Sequence, residues 1–176
     1  MNRETTDETA YRCLFERFAS LGIGAKVVPY PEHATVEEGK ALRGAMAGTF
    51  TKNLLLKDKK GRHFLLAIHE DRTLDLKAAS ALVGGKGHLS FVAGERMQAL
   101  LGVQPGALTP LGLMQDEEGV VTVVIDASLM GDAQLNFHPL RQTESVGLAP
   151  QELVAFMRSC GREPLVVDFD TSPPAA

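Results

Sequence analysis

Residues 51–69, TKNLLLKDKKGRHFLLAIH, constrain the fold more than any other stretch, because two apolar runs flank a charged four-residue turn. Read as a β-hairpin, alternation puts Lys52, Leu54 and Leu56 on one side of the first strand and Asn53, Leu55 and Lys57 on the other. The second strand sets Phe64, Leu66 and Ile68 against His63, Leu65, Ala67 and His69, while Asp58-Lys59-Lys60-Gly61 supplies the turn, with Gly61 free to adopt positive φ. Charged and apolar side chains therefore do not segregate cleanly by face. Lys52 stands in line with two leucines, a costly position unless its ammonium reaches water or an anionic partner.

A chain of 176 residues that is 44% hydrophobic can bury one full core, which predicts a single domain over residues 1–170 and a disordered tail over 171–176. No run of 18 apolar residues exists and the N-terminal stretch is polar and acidic, so neither a membrane span nor a signal peptide is expected and the location read is cytoplasmic. Cys13 and Cys160 fall in separate predicted helices without CxxC spacing, which points to two reduced, partly buried thiols. The net charge of −4 hides an asymmetry: residues 40–96 hold eleven Lys and Arg against five acids, so this segment carries +6. Both a solvated charged face and a surface for a polyanion fit that pattern.

Helical spacing of Tyr11, Leu14, Phe15, Phe18 and Leu21 predicts an amphipathic helix over residues 6–21, stopped at Gly22. A short edge strand follows at 25–30, then a helix at 35–43 opened by the capping box Thr35-Val-Glu-Glu. The small residues 44–49 predict a mobile approach to the hairpin. After it come a helix (74–82), a glycine-rich stop, a strand (88–92) and a helix (95–101). Residues 102–113 read as a loop rich in glycine and proline, too apolar to be a free linker and so held against the core. The run VVTVVI at 120–125 predicts a central strand. Strands at 134–138 and 141–146, a helix at 150–160 and a strand at 164–169 complete the pattern. Without a regular βαβ rhythm, the expectation is an α+β or mixed α/β domain on a curved mixed sheet.

Nucleophilic and zinc chemistry lack their motifs. There is no GxSxG and no HExxH, and His63 and His69 on one strand would stand about 20 Å apart, too far to share a metal. The strings TKNLLLKD, PGALTPLGL and NFHPLRQTESVGL together resemble the YbaK/ProX family, free-standing relatives of the editing domain inserted in bacterial prolyl-tRNA synthetases. The likeness spans about residues 25–169 and is closest to the ProX (PrdX) branch. It implies a barrel-like mixed sheet flanked by helices and an aminoacyl-tRNA deacylase that needs neither metal nor organic cofactor. The implied substrate is alanine mischarged on proline tRNA, and the implied partners are the acceptor end of aminoacyl-tRNA and prolyl-tRNA synthetase.

Carried over by position, the family's editing lysine corresponds to Lys52 with Asn53 beside it, its GxxxP loop to Gly106, Ala107, Leu108, Thr109 and Pro110, and its pocket histidine to His138. Lys52 is thereby assigned to the terminal phosphate or ribose, the loop to backbone contacts with substrate, and His138 to the aminoacyl pocket. Lys57, Lys59, Lys60, Arg62, Arg72 and Lys77 form the expected group of acceptor-stem contacts. Leu55 and Leu111 stand where phenylalanine is expected, which bears on pocket size. An aminoacyl ester is already activated, so positioned water and a stabilised oxyanion suffice, without a side-chain nucleophile. Bland readings stay open beside these: a snorkelling Lys52, a hydrogen-bonded core His138, an ordinary tight loop. So do a seryl or cysteinyl substrate and a non-catalytic tRNA- or protein-binding module of the same fold.

Overall fold

In the hairpin Leu54 and Leu56 face one way and Leu55 the other, so the sheet built on it must be covered on both faces, and it is. The structure, a computed structural model, describes residues 3–32, 35–43 and 46–173. Its elements run α1 (Arg3–Ser20), β1 (Val27–Pro29), α2 (Val36–Arg43), β2 (Thr49–Lys57), β3 (His63–His69), α3 (Leu76–Leu82), β4 (Ser90–Phe91) and α4 (Gly94–Leu101). They continue with β5 (Val121–Asp126), β6 (Leu135–Phe137), β7 (Glu144–Leu148), α5 (Pro150–Ser159) and β8 (Leu165–Val167). The strands form one mixed sheet in the order β1-β7-β6-β2-β3-β5-β8, with β4 beside β2. Pairs β2/β6, β3/β5 and β5/β8 are parallel and the others antiparallel.

The hairpin takes the expected register, from Thr51↔His69 to Lys57↔His63, and Gly61 turns with φ 78°. Asp58 is the clamp of that turn: its carboxylate accepts from the backbone N–H of Lys60, Arg62 and Lys86 and from the Arg62 guanidinium. Burial opposes its ionisation, but the Arg62 and backbone donors outweigh burial and hold its pKa down to about 2. On one face Leu55, Leu65, Ala67, Val121, Val123 and Ile125 pack under Leu14 and Phe18 of α1, Met97 and Leu101 of α4 and Phe156 of α5. On the other, Leu56, Phe64, Leu66, Ile68 and Val124 pack under Ala79 of α3. Each such leucine or phenylalanine contributes about 1.5–3 kcal/mol by burial. The run at 120–125 is an interior strand but not the central one expected: it lies between β3 and the edge strand β8.

Three boundaries differ from the sequence reading. The strand expected at 141–146 lies at Glu144–Leu148, because Val146 and Leu148, both fully buried, must oppose Phe137 and Leu135 of β6. The loop at 102–113 carries two short 3-10 helices, Pro105–Ala107 and Pro110–Gln115, and is held against the core through Leu108, Leu111 and Leu113. The strand expected at 88–92 shortens to two residues. The capping box is present: Glu38 N–H donates to Thr35 Oγ1 and Thr35 N–H to the Glu38 carboxylate. Residues 44–45 of the expected mobile segment and 174–176 of the expected tail lie outside the described residues. Among the described residues no helix is long and apolar enough to cross a membrane.

Candidate functional site

β2 pairs with β6 only through Thr49 and Phe50, and with β4 only through Leu56 and Lys57. Between these points the strand's edge away from β3 is open, and side chains and loops close it instead. Thr51 Oγ1 donates to the Asn136 carbonyl at 2.9 Å, and Asn53 Nδ2 donates to the Leu108 carbonyl at 3.1 Å, tying β2 to the 102–113 loop. A cavity of about 80 Å³ remains in the gap, lined in part by Tyr30, Phe50, Asn53, Asn136, His138 and Ser145.

Its walls are held by a polar network. His138 Nδ1 lies 2.8 Å from the Glu144 carbonyl, which can only accept, so Nδ1 carries a proton and donates to it. The Tyr30 ring meets His138 edge-on at 5.6 Å and stacks against Phe50 at 6.5 Å. Arg43 covers Phe50 at 4.0 Å, donates through Nε to the Tyr30 hydroxyl and pairs with Glu70 at 2.8 Å. Burial works against the Arg43 charge, but the bonds to Tyr30 and Glu70 outweigh it and its pKa rises. Asn53 Oδ1 is buried and accepts no hydrogen bond within the described protein. An acceptor left so costs about 1–3 kcal/mol, unless something else donates to it.

The structure brings Asn53 and His138 together around this cavity, and the Gly106–Pro110 segment, outside its lining, reaches Asn53 through the Leu108 carbonyl, with Leu108 and Pro110 buried and Thr109 Oγ1 capping the following turn through Leu111 N–H. It does not place Lys52 there. Lys52 takes the face of Leu54, and its ammonium donates to the Arg72 carbonyl at 2.5 Å. The six expected tRNA contacts do not form one patch either. Lys57, Lys59, Lys60 and Arg62 crowd the turn end of the hairpin, while Arg72 and Lys77 follow its other end, about 20 Å away along the strand. Arg72 corrects the expectation of a solvent-facing cation: it pairs with Asp126 at 2.5 Å and with Asp170 at 2.9 Å, its own side chain only 17% exposed. The Asp170 bonds, against burial and with help from Asp126, raise its pKa. Tyr30, Arg43, Glu70 and Ser145 were missed because they reach the cavity from four separate elements. Asn136 alone had a local signal, sharing the alternation phase of His138.

The family model of the aminoacyl-tRNA editing domain matches residues 30–156. The chain is 35% identical over 161 residues to the bovine prolyl-tRNA synthetase associated domain-containing protein 1, covering 89% of this chain and 94% of that one. It is 30% identical over 156 residues to the prolyl-tRNA editing protein ProX of Acetoanaerobium sticklandii, covering 88% and 94%. A crystal structure described as that of a proposed trans-editing enzyme for prolyl tRNA synthetase superimposes with a TM-score of 0.67 at 25% identity, over 90% of this chain and 96% of that one. With the matched residues spanning β2, the 102–113 loop and His138, the chain belongs to the aminoacyl-tRNA editing domain family, in its YbaK/ProX-like group.

Proposed function

We propose that the protein hydrolyses the ester of mischarged aminoacyl-tRNA, with alanine on proline tRNA as its substrate. The observation that carries this reading is the small cavity, about 80 Å³, with Asn53 and His138 in its walls. A cavity of that size favours a small side chain such as the methyl of alanine over the larger ring of proline, which spares the correctly charged tRNA. Serine and cysteine differ from alanine by one heavy atom and are the competing substrates.

The chemistry follows from the residues in place. The substrate's α-ammonium donates to Asn53 Oδ1, supplying the bond that the acceptor lacks. His138 borders the aminoacyl group from the cavity wall, and backbone groups of the Gly106–Pro110 segment hold the ester and its developing oxyanion. No side-chain nucleophile is needed: water adds to the ester carbonyl, the bond from that carbon to the ribose oxygen breaks, and the water's proton passes to the departing ribose oxygen, which the neighbouring hydroxyl makes a better leaving group. Lys52 acts from the other face: its ammonium, bound to one carbonyl, keeps two further donors for the ribose-phosphate of the acceptor end. The exposed Lys57, Lys59 and Lys60 extend the contact along the acceptor stem, and prolyl-tRNA synthetase is the proposed partner that releases the substrate.

Single-turnover release of labelled alanine from alanine-charged proline tRNA tests the assignment. Asn53→Ala is expected to slow release by about 100-fold through loss of a positioned contact. An unimpaired Asn53→Ala enzyme would remove Asn53 from the site, and a wild-type protein that binds the RNA without releasing alanine, serine or cysteine would favour a binding module.

A further inference from the structure

Lys52 is a point charge on a flexible four-carbon stem, so what it can do depends on what holds its ammonium. Among the described residues it makes no ion pair, and its ammonium donates to the Arg72 carbonyl at 2.5 Å. Two acids nevertheless stand beside Arg72, Asp126 at the end of β5 and Asp170 beyond β8, and the Arg72 side chain takes both. A carboxylate on Lys52 would neutralise the charge that attracts a ribose-phosphate. A carbonyl aims the ammonium and leaves its charge intact.

That carbonyl has itself to be held. Residues 72–75 carry neither helix nor strand, and the Arg72 N–H closes a turn on the His69 carbonyl at 3.0 Å. The further restraint comes from the Arg72 side chain. Its Nε pairs with Asp126 at 2.5 Å, and Nη1 and Nη2 donate to the two carboxylate oxygens of Asp170 at 2.9 and 3.0 Å. A planar fork gripped in this way is fixed in orientation as a single ion pair would not fix it. Both anchors are fixed in turn. Asp126, its side chain 1% exposed, also accepts from the Ser128 N–H at 3.0 Å. Asp170 belongs to a turn in which its N–H donates to Asp168 Oδ1 and Thr171 Oγ1 donates to the Asp168 carbonyl, while Phe169 packs against the cluster that holds Leu66 and Ile68. Asp170 lies C-terminal to the matched residues 30–156, so this clamp ties the editing domain to a segment outside the match.

We propose that Arg72 and Asp170 are positioning residues for Lys52: the Asp170 carboxylate fixes the Arg72 guanidinium against Asp126, and the backbone so held presents the carbonyl that aims the Lys52 ammonium at the ribose-phosphate. The use made of the aimed ammonium rests on the deacylase reading, but the aiming is measurable without hydrolysis. Asp170→Ala is the variant to make, because the Asp170 carboxylate is 73% exposed and its loss leaves the fold in place, whereas Arg72→Ala would strand Asp126 in the interior. The first readout is the pair of Lys52 Hε protons in a proton–carbon correlation spectrum, assigned with Lys52→Ala. They are expected at separate shifts in the wild type, merged toward one averaged shift in Asp170→Ala and separated again in Asp170→Glu. The second is a double-mutant cycle in steady-state alanine release. Asp170→Ala is expected to lower kcat/KM about tenfold, mostly through KM, and to have no further effect once Lys52 is alanine. A residue that served stability alone would lower both backgrounds equally. Merged Lys52 shifts already in the wild type, an Asp170→Ala spectrum or turnover equal to that of the wild type, or equal losses in both backgrounds would overturn the proposal. Shifts that merge in Asp170→Ala, in a protein that releases no alanine, retire the deacylase reading alone.

Discussion

Lys52 and Asn53 are neighbours in sequence and are sent to opposite faces of β2 by the pleat, so they cannot act on one atom from the same side. Asn53 is anchored by one amide hydrogen bond, lines the cavity and keeps a buried oxygen that accepts no hydrogen bond from the described residues. Lys52 rests on a carbonyl and packs beside Leu54. Its removal is therefore expected to cost little stability, with Tm within a few degrees of wild type. Deacylation should fall by about 100-fold or more in kcat/KM, as when a contact that positions the substrate's acceptor end is lost. Thermal melting and single-turnover alanine release on the same Lys52→Ala preparation check both halves. A collapsed Tm with normal turnover by the folded fraction would make Lys52 a structural residue.

The junction of β2 and β6 shapes the cavity at the level of elements, and Gly48 makes it possible. Its φ is 93°, and an added Cβ would meet the Gln134 carbonyl and Asn136 Nδ2, each at 2.9 Å. Gly48→Ala is expected to cost about 2 kcal/mol in strain, or roughly 4–8 °C in Tm for a chain of this length, and to impair activity by displacing Asn136. Scanning calorimetry decides it, and an unchanged Tm would contradict the close approach. The hairpin and its turn were legible in the sequence because alternation and a charged turn act locally, and the apolar run at 120–125 marked an interior strand. The β7 boundary was not, because its register depends on Leu135 and Phe137 opposite it. Asn53, the Gly106–Pro110 loop and His138 were legible only through family resemblance, and Tyr30, Arg43 and Glu70 not at all, since their side chains meet only after the sheet has formed.

Across the whole molecule, the positive segment 40–96 divides into cations used internally and cations left to solvent. Arg43, Arg62 and Arg72 hold Glu70, Asp58, Asp126 and Asp170, whereas Lys57, Lys59, Lys60 and Lys77 are exposed. RNA affinity should consequently fall with salt, and replacing Lys59 and Lys60 together by alanine should flatten the slope of log K against log salt by about 1 to 2. An unchanged slope in a binding titration would remove the hairpin turn from the RNA footprint. The central claim is that a cavity of about 80 Å³ admits alanine and refuses proline. The most direct measurement compares release of labelled alanine and labelled proline from the same proline tRNA by the wild-type protein. Rapid alanine release with prolyl-tRNA left at its spontaneous rate is the predicted result; equal rates for the two, or none above the spontaneous rate for either, would contradict the account.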